Sequence, residues 1–168
     1  MTISEIQKMV NESHDYQFLK TNPHLRDSIM FFTLGGSYAY GTNIETSDVD
    51  IRGVASPSIR DILGFGKFEQ VVNTKTDTTI YEFNKIINLL INCNPNVIEL
   101  LGCKPEHYFH VNDLGWDLID NAHLFLSKRC IHSFGGYATQ QLRRLENAIA
   151  RDRIPQARKE EHIINSMI

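Results

Sequence analysis

The stretch Leu34-Gly35-Gly36-Ser37-Tyr38-Ala39-Tyr40-Gly41-Thr42-Asn43-Ile44-Glu45-Thr46-Ser47-Asp48-Val49-Asp50-Ile51-Arg52-Gly53 constrains this chain more than any other. The apolar run Ile29–Leu34 enters it and reads as a buried strand. Two glycines and a serine follow, where a chain turns sharply and brings backbone N–H groups close to a ligand. Asp48-Val49-Asp50-Ile51 then alternates as a strand does, with both carboxylates on one face and Val49 and Ile51 on the other. Paired aspartates repel each other unless a cation lies between them. Hard divalent ions such as Mg²⁺ bind through one or two carboxylates plus substrate phosphates. A glycine-rich phosphate cradle followed by two acids therefore describes a metal–triphosphate site.

These residues resemble a known signature. Gly36-Ser37, with Asp48-x-Asp50 beginning twelve positions after Gly36, resembles the DNA polymerase β-like minimal nucleotidyltransferases. The longer form Gly-Ser-x-Ala-x-Gly-Thr-x(4)-Ser-Asp-x-Asp-x-x-Gly is present in full from Gly36 to Gly53. Further on, Asn94-Pro95 followed by Glu99-Leu100 resembles a signature of a bacterial and phage predicted-nucleotidyltransferase subfamily, some of whose members are associated with RNA ligases. The run is also explained as a helix start, with Asn94 as cap and Pro95 at the first helical position. Glu99 then reads as a helix-surface carboxylate.

The resemblance implies a division of labour. Asp48 and Asp50 would hold Mg²⁺ (or Mn²⁺), and a third carboxylate from a neighbouring later strand would complete the set. Asp77 and Glu82 compete for that place, with opposite parity on one strand; we favour Asp77. Gly36 and Ser37 would hold the β- and γ-phosphates. Arg52 shares the face of the two aspartates, so it would either neutralise phosphate charge or pair with one of the acids. Ser47 reads as a turn stabiliser.

The 168 residues suit one domain with a sizeable core, and 42% hydrophobic with 22% charged residues is ordinary for a globular chain. A net charge of −3 excludes a bulk polycation. Charge is nevertheless uneven: Arg143, Arg144, Arg151, Arg153, Arg158 and Lys159 stand against Glu146 and Asp152. This stretch, with Gln140, reads either as a solvated helix face or as a phosphate or polynucleotide contact. Cys93, Cys103 and Cys130 lack CxxC spacing and read as reduced thiols. His107 and His110 are weak metal candidates, and Tyr108, Phe109 and Trp116 read as core. No apolar run reaches membrane-spanning length and no signal-peptide pattern opens the chain, so we expect a soluble cytoplasmic protein.

Periodicity predicts a helix over 2–14, strands at 29–34, 48–54, 68–72 and 76–81, and helices from Phe83 and Pro95. Residues 103–115 read as irregular, 117–126 and 136–150 as helical, and Pro155 as the start of a last helix. The fold class is α/β (α+β): a small mixed sheet, the nucleotidyltransferase core of residues 1–102, with helices on one side. A helical module, residues 103–168, follows and reads as truncated. The expected activity moves a nucleoside monophosphate from an NTP such as ATP to a hydroxyl or phosphate of RNA, a protein or a small molecule, releasing pyrophosphate. The alternatives are the partner-binding half of a toxin–antitoxin-like module and a catalytically silent binding domain.

Overall fold

In the computed structural model, which describes residues 1–153, strand β1 (Ile29–Leu34) is buried along its whole length. It is an interior strand of the first of two units, Met1–Ser127 and Lys128–Ile168. Strand β2 (Ile51–Ala55) pairs antiparallel with one edge of β1, and β5 (Tyr108–Val111) with the other. Strand β4 (Thr78–Glu82) lies parallel to β2, and β3 (Gln70–Asn73) closes the sheet antiparallel to β4, giving the order β3-β4-β2-β1-β5.

Helices cover both faces of this sheet, where the sequence suggested one. Neighbouring residues of β2 explain why: Ile51 and Val54 are both fully buried but on opposite faces, so each face needs a lid. On one face helix α1 (Ile3–Glu12) and the single turn α2 (Phe18–Thr21) place Ile6, Val10 and Leu19 against Phe32, Leu34, Ile51 and Ile80. Helix α1 starts in a capping box, in which Thr2 Oγ1 accepts from the Glu5 N–H and Glu5 Oε2 accepts from the Thr2 N–H. Between β1 and β2 lies the short helix α3 (Gly36–Tyr40), and after β2 the turn α4 (Ile59–Ile62), capped by Ser58.

On the opposite face α5 (Phe83–Ile91), α6 (Pro95–Ile98) and α7 (Asp113–Asp120) supply Ile86, Leu90, Val97 and Leu118 to a second core around Phe31 and Val54. Each such fully buried side chain contributes about 1.5–3 kcal/mol. Pro95 takes the first helical position as expected, but the Asn94 side chain makes no cap bond and its Oδ1 is buried without a partner.

Three further sequence expectations change here. The segment 103–115 is not irregular, because Tyr108–Val111 completes the sheet as β5. Burial does not alternate along it, because Tyr108, Phe109 and Val111 are all half-buried and only His110 is exposed. The first unit accordingly continues to Ser127, beyond the composition change near residue 103. Trp116 is 44% exposed rather than core. The second unit begins with the 25-residue helix α8 (Arg129–Arg153). Gln140, Arg143, Arg144 and Arg151 are exposed on it, while Arg158, Lys159 and the helix expected from Pro155 lie outside the described residues. The cysteines are all free thiols. No described helix is long and apolar enough to cross a membrane.

Gly53 shows what the last residue of the motif does for the fold. A Cβ there would stand 2.5 Å from the Phe31 carbonyl oxygen and 2.8 Å from Phe32 Cβ. The absent side chain lets β1 and β2 close on each other beside the acids.

Candidate active site

The glycine turn and the acids meet at the end of β1. The Gly35 N–H donates to the Asp50 carbonyl at 2.9 Å, which extends the β1–β2 ladder past the formal strand end. Gly36 then turns with φ +54°, and a Cβ on it would collide with the Asp50 carboxylate. Glycine is required twice over, by the left-handed backbone and by the close approach of the acid. Helix α3 is a little over one turn long and ends at Gly41, φ +70°, a left-handed C-cap. Half-buried Ser37 stands in its first turn, with its carbonyl accepting from the Thr42 N–H at 2.9 Å. Ser47 performs the local role read from sequence: its Oγ accepts from the Ile44 N–H at 2.9 Å.

The acid pair that forms is Asp50 with Asp77. Strands β2 and β4 are parallel, with Ile51 opposite Thr78, so the residues just before them fall side by side. Asp77 is not on a regular strand. It sits at a turn with φ +40°, a conformation aspartate tolerates better than most residues, and its carbonyl accepts from the Ile51 N–H at 3.1 Å. Asp50 and Asp77 are within hydrogen-bond reach of each other. Burial, and then the Asp77 contact, push the Asp50 carboxyl up to about 6, against the opposing pull of Arg52. The Asp50 contact holds Asp77 below its ordinary value, with help from Arg52. Of the two, the more buried Asp50 is the acid that takes up a proton more readily.

Arg52 binds both acids. Its Nη2 donates to Asp50 Oδ1 and to Asp77 Oδ1, each at 3.0 Å, and its Nη1 donates to the Ile51 carbonyl at 3.0 Å and to the Asp77 carbonyl. In this state Arg52 pairs with two acids at once, where the sequence reading offers a phosphate contact or a pair with one of the aspartates. Parity showed Arg52 on the aspartate face; the reach to Asp77 depended on the parallel register and had no sequence signal.

Asp48 and Glu82 are placed differently. Asp48 is exposed and precedes β2. Glu82 ends β4, opposite Ala55, five residues and roughly 16 Å along the strand from Asp77 at about 3.3 Å per residue. Its carboxylate is 5% exposed and caps α5, accepting from the Lys85 N–H at 3.0 Å and from Asn84 Nδ2 at 2.9 Å. Glu82 is thereby occupied by the fold, and Asp77 is the acid brought beside Asp50.

Among the described residues no group of three or more His, Cys, Asp or Glu side chains is gathered as a metal site. His107 is buried, and His110 Nε2 lies 3.3 Å from the Ile29 carbonyl. The Asp50–Asp77 pair nonetheless suits a hard divalent ion in its chemistry: two carboxylates brought together around a single guanidinium, with the proton affinity of Asp50 raised by burial and by its neighbour. One contact ties the glycine turn to the later motif, since the Tyr40 hydroxyl donates to Glu99 Oε2. Sequence reading left Glu99 on a helix surface; its partner is a tertiary neighbour.

A short helix entered through paired glycines, with one acid just ahead of β2 and a second just ahead of the parallel strand β4, suits a nucleotidyltransferase core of the DNA polymerase β type. The chain matches the model of RlaP, the RNA repair pathway DNA polymerase beta family, over residues 3–161, and it belongs to that family. No curated protein and no solved structure matches it.

Proposed function

We propose that this protein transfers a nucleoside monophosphate from an NTP to the end of an RNA, releasing pyrophosphate, with Mg²⁺ or Mn²⁺ bound at Asp50 and Asp77. The observation that carries the reading is the convergence of those two carboxylates beside the Gly36 turn. The family's description as an RNA repair pathway favours RNA over a protein or small-molecule acceptor. The cytoplasm is where such a protein would meet both substrates.

The chain's own residues divide the work. Gly36 and Ser37 offer backbone N–H groups and a hydroxyl to the β- and γ-phosphates, and the missing Cβ of Gly36 allows close approach. Asp50 and Asp77 hold the ion, and the exposed Asp48 is available to add a ligand once substrate is present. A bound divalent ion supplies charge neutralisation at the reacting phosphate and a lowered pKa for the attacking oxygen. Asp77, placed as the third acid of the resemblance, would take the proton of the acceptor hydroxyl, whose own pKa a bound ion would lower. The catalytic core is carried by the first unit, and the basic face of α8 is a candidate contact for the RNA backbone.

The test is label transfer from each α-labelled NTP, with Mg²⁺ or Mn²⁺, to RNAs differing in their 3′ and 5′ ends. Transfer by the wild type, lost in Asp50→Asn and in Asp77→Asn, is expected. Transfer that survives either substitution, or none to any RNA end, refutes the assignment.

A further inference from the structure

Arg52 gives one guanidinium to four acceptors, and two of them are the acids assigned above to a metal ion. A structural ion pair would need one carboxylate. This one is only 24% exposed and takes an oxygen from each member of the pair. Its Nη2 stands where a cation must stand to hold Asp50 and Asp77 together, and the guanidinium also fixes the left-handed turn of Asp77 through that residue's carbonyl.

We propose that Arg52 is a resident counter-cation. It keeps the two carboxylates facing each other before substrate arrives, and it gives up Asp50 when a divalent ion binds the pair. The inference rests on the reading of Asp50 and Asp77 as the ion-binding acids. Its physical basis is competition. Asp50 Oδ1 cannot serve a guanidinium and a hard ion fully at once, and two cations drawn to one pair of carboxylates repel each other. The displaced guanidinium remains next to the Gly36 turn, where it meets the phosphates that accompany the ion. Arg52 is thus a positioning residue in the resting protein and a phosphate ligand in the loaded one.

Mn²⁺ binding, followed by the electron paramagnetic resonance signal of the free ion, tests this without an activity assay. Arg52→Gln removes the competitor, so the variant is expected to bind Mn²⁺ about two- to fivefold more tightly than the wild type, the range a partly exposed ion pair is worth. Equal or weaker binding by the variant overturns the proposal alone. Absence of Mn²⁺ binding by both proteins overturns it together with the ion-site reading. Because Arg52→Gln could unfold the Asp77 turn, the wild type gives a second measurement. Its Arg52 guanidinium ¹⁵N signals are expected to show hindered rotation in the ion-free protein and to lose it on saturation with Mg²⁺. Signals that Mg²⁺ leaves unchanged overturn the proposal.

Discussion

Replacing Asp50 by Asn should stabilise the ion-free protein at neutral pH while abolishing its activity. The Asp50 side chain is 21% exposed, and its carboxyl is raised from 3.8 to about 6 by burial and by the Asp77 contact. In the unfolded chain the same group titrates near 3.9. Between about pH 4 and pH 6 the folded protein therefore binds more protons than the unfolded one, and stability falls as pH rises through that window. At 1.36 kcal/mol per tenfold change in acidity, the full difference is about 3 kcal/mol. Solvent screening and the depressed Asp77, which contributes with the opposite sign, reduce it to roughly 1–2 kcal/mol. Asparagine mimics the protonated acid and does not titrate. The variant should match the wild type near pH 4 and exceed it above pH 6, by about 5 °C in Tm for a domain of this size. The assay is urea and thermal unfolding in chelator-containing buffer from pH 4 to 7.5, read by the fluorescence of Trp116. A variant less stable than the wild type at pH 7.5, or offset by the same amount at every pH, would show that Arg52 outweighs burial and the Asp77 contact at Asp50, and would refute the reasoning.

Other substitutions separate the roles of neighbouring residues. Gly36→Ala should cost about 1–3 kcal/mol, from the positive φ and the collision with Asp50, and should abolish transfer; a stable, active variant would contradict the cradle. Gly53→Ala should lower stability by about 2–4 kcal/mol in denaturant melts, because the added Cβ meets the Phe31 carbonyl oxygen. Glu82→Gln should leave label transfer within about twofold and cost about 0.5–1 kcal/mol as the α5 cap weakens. Asp77→Asn should remove transfer, so the reverse ranking of these two variants would reassign the second acid.

Much of the site was legible because it is local. Gly36, Ser37, Gly41, Ser47 and Asp50 lie within one short segment, and their spacing fixes a turn, a short helix and a returning strand. Strand β1 was legible to the residue, since an uninterrupted apolar run inside the sheet leaves little choice of boundary. What escaped depends on partners distant in sequence. Strand β5 exists only because the edge of β1 is open to it, and its Tyr-Phe-His-Val sequence carries no period. Asp77 and Glu82 look equivalent on a lone strand; the parallel register with β2 separates them, putting one beside Asp50 and the other under the N-terminus of α5. The cover on the second sheet face was in principle readable from the apolar residues of both parities in β2.

The parallel pairing of β2 with β4, the one parallel pair in the sheet, has a consequence for the life of the chain. Both cradle and first acid leave the ribosome well before the second acid, and a crossover of β3 and α4 intervenes. If Asp50 and Asp77 hold the ion as proposed, a nascent or nicked polypeptide that has not docked β4 would present the glycine turn and Asp50 without the second acid of the pair. Full ion affinity would then arise only as the sheet closes, and an unfinished molecule would not squander nucleotide.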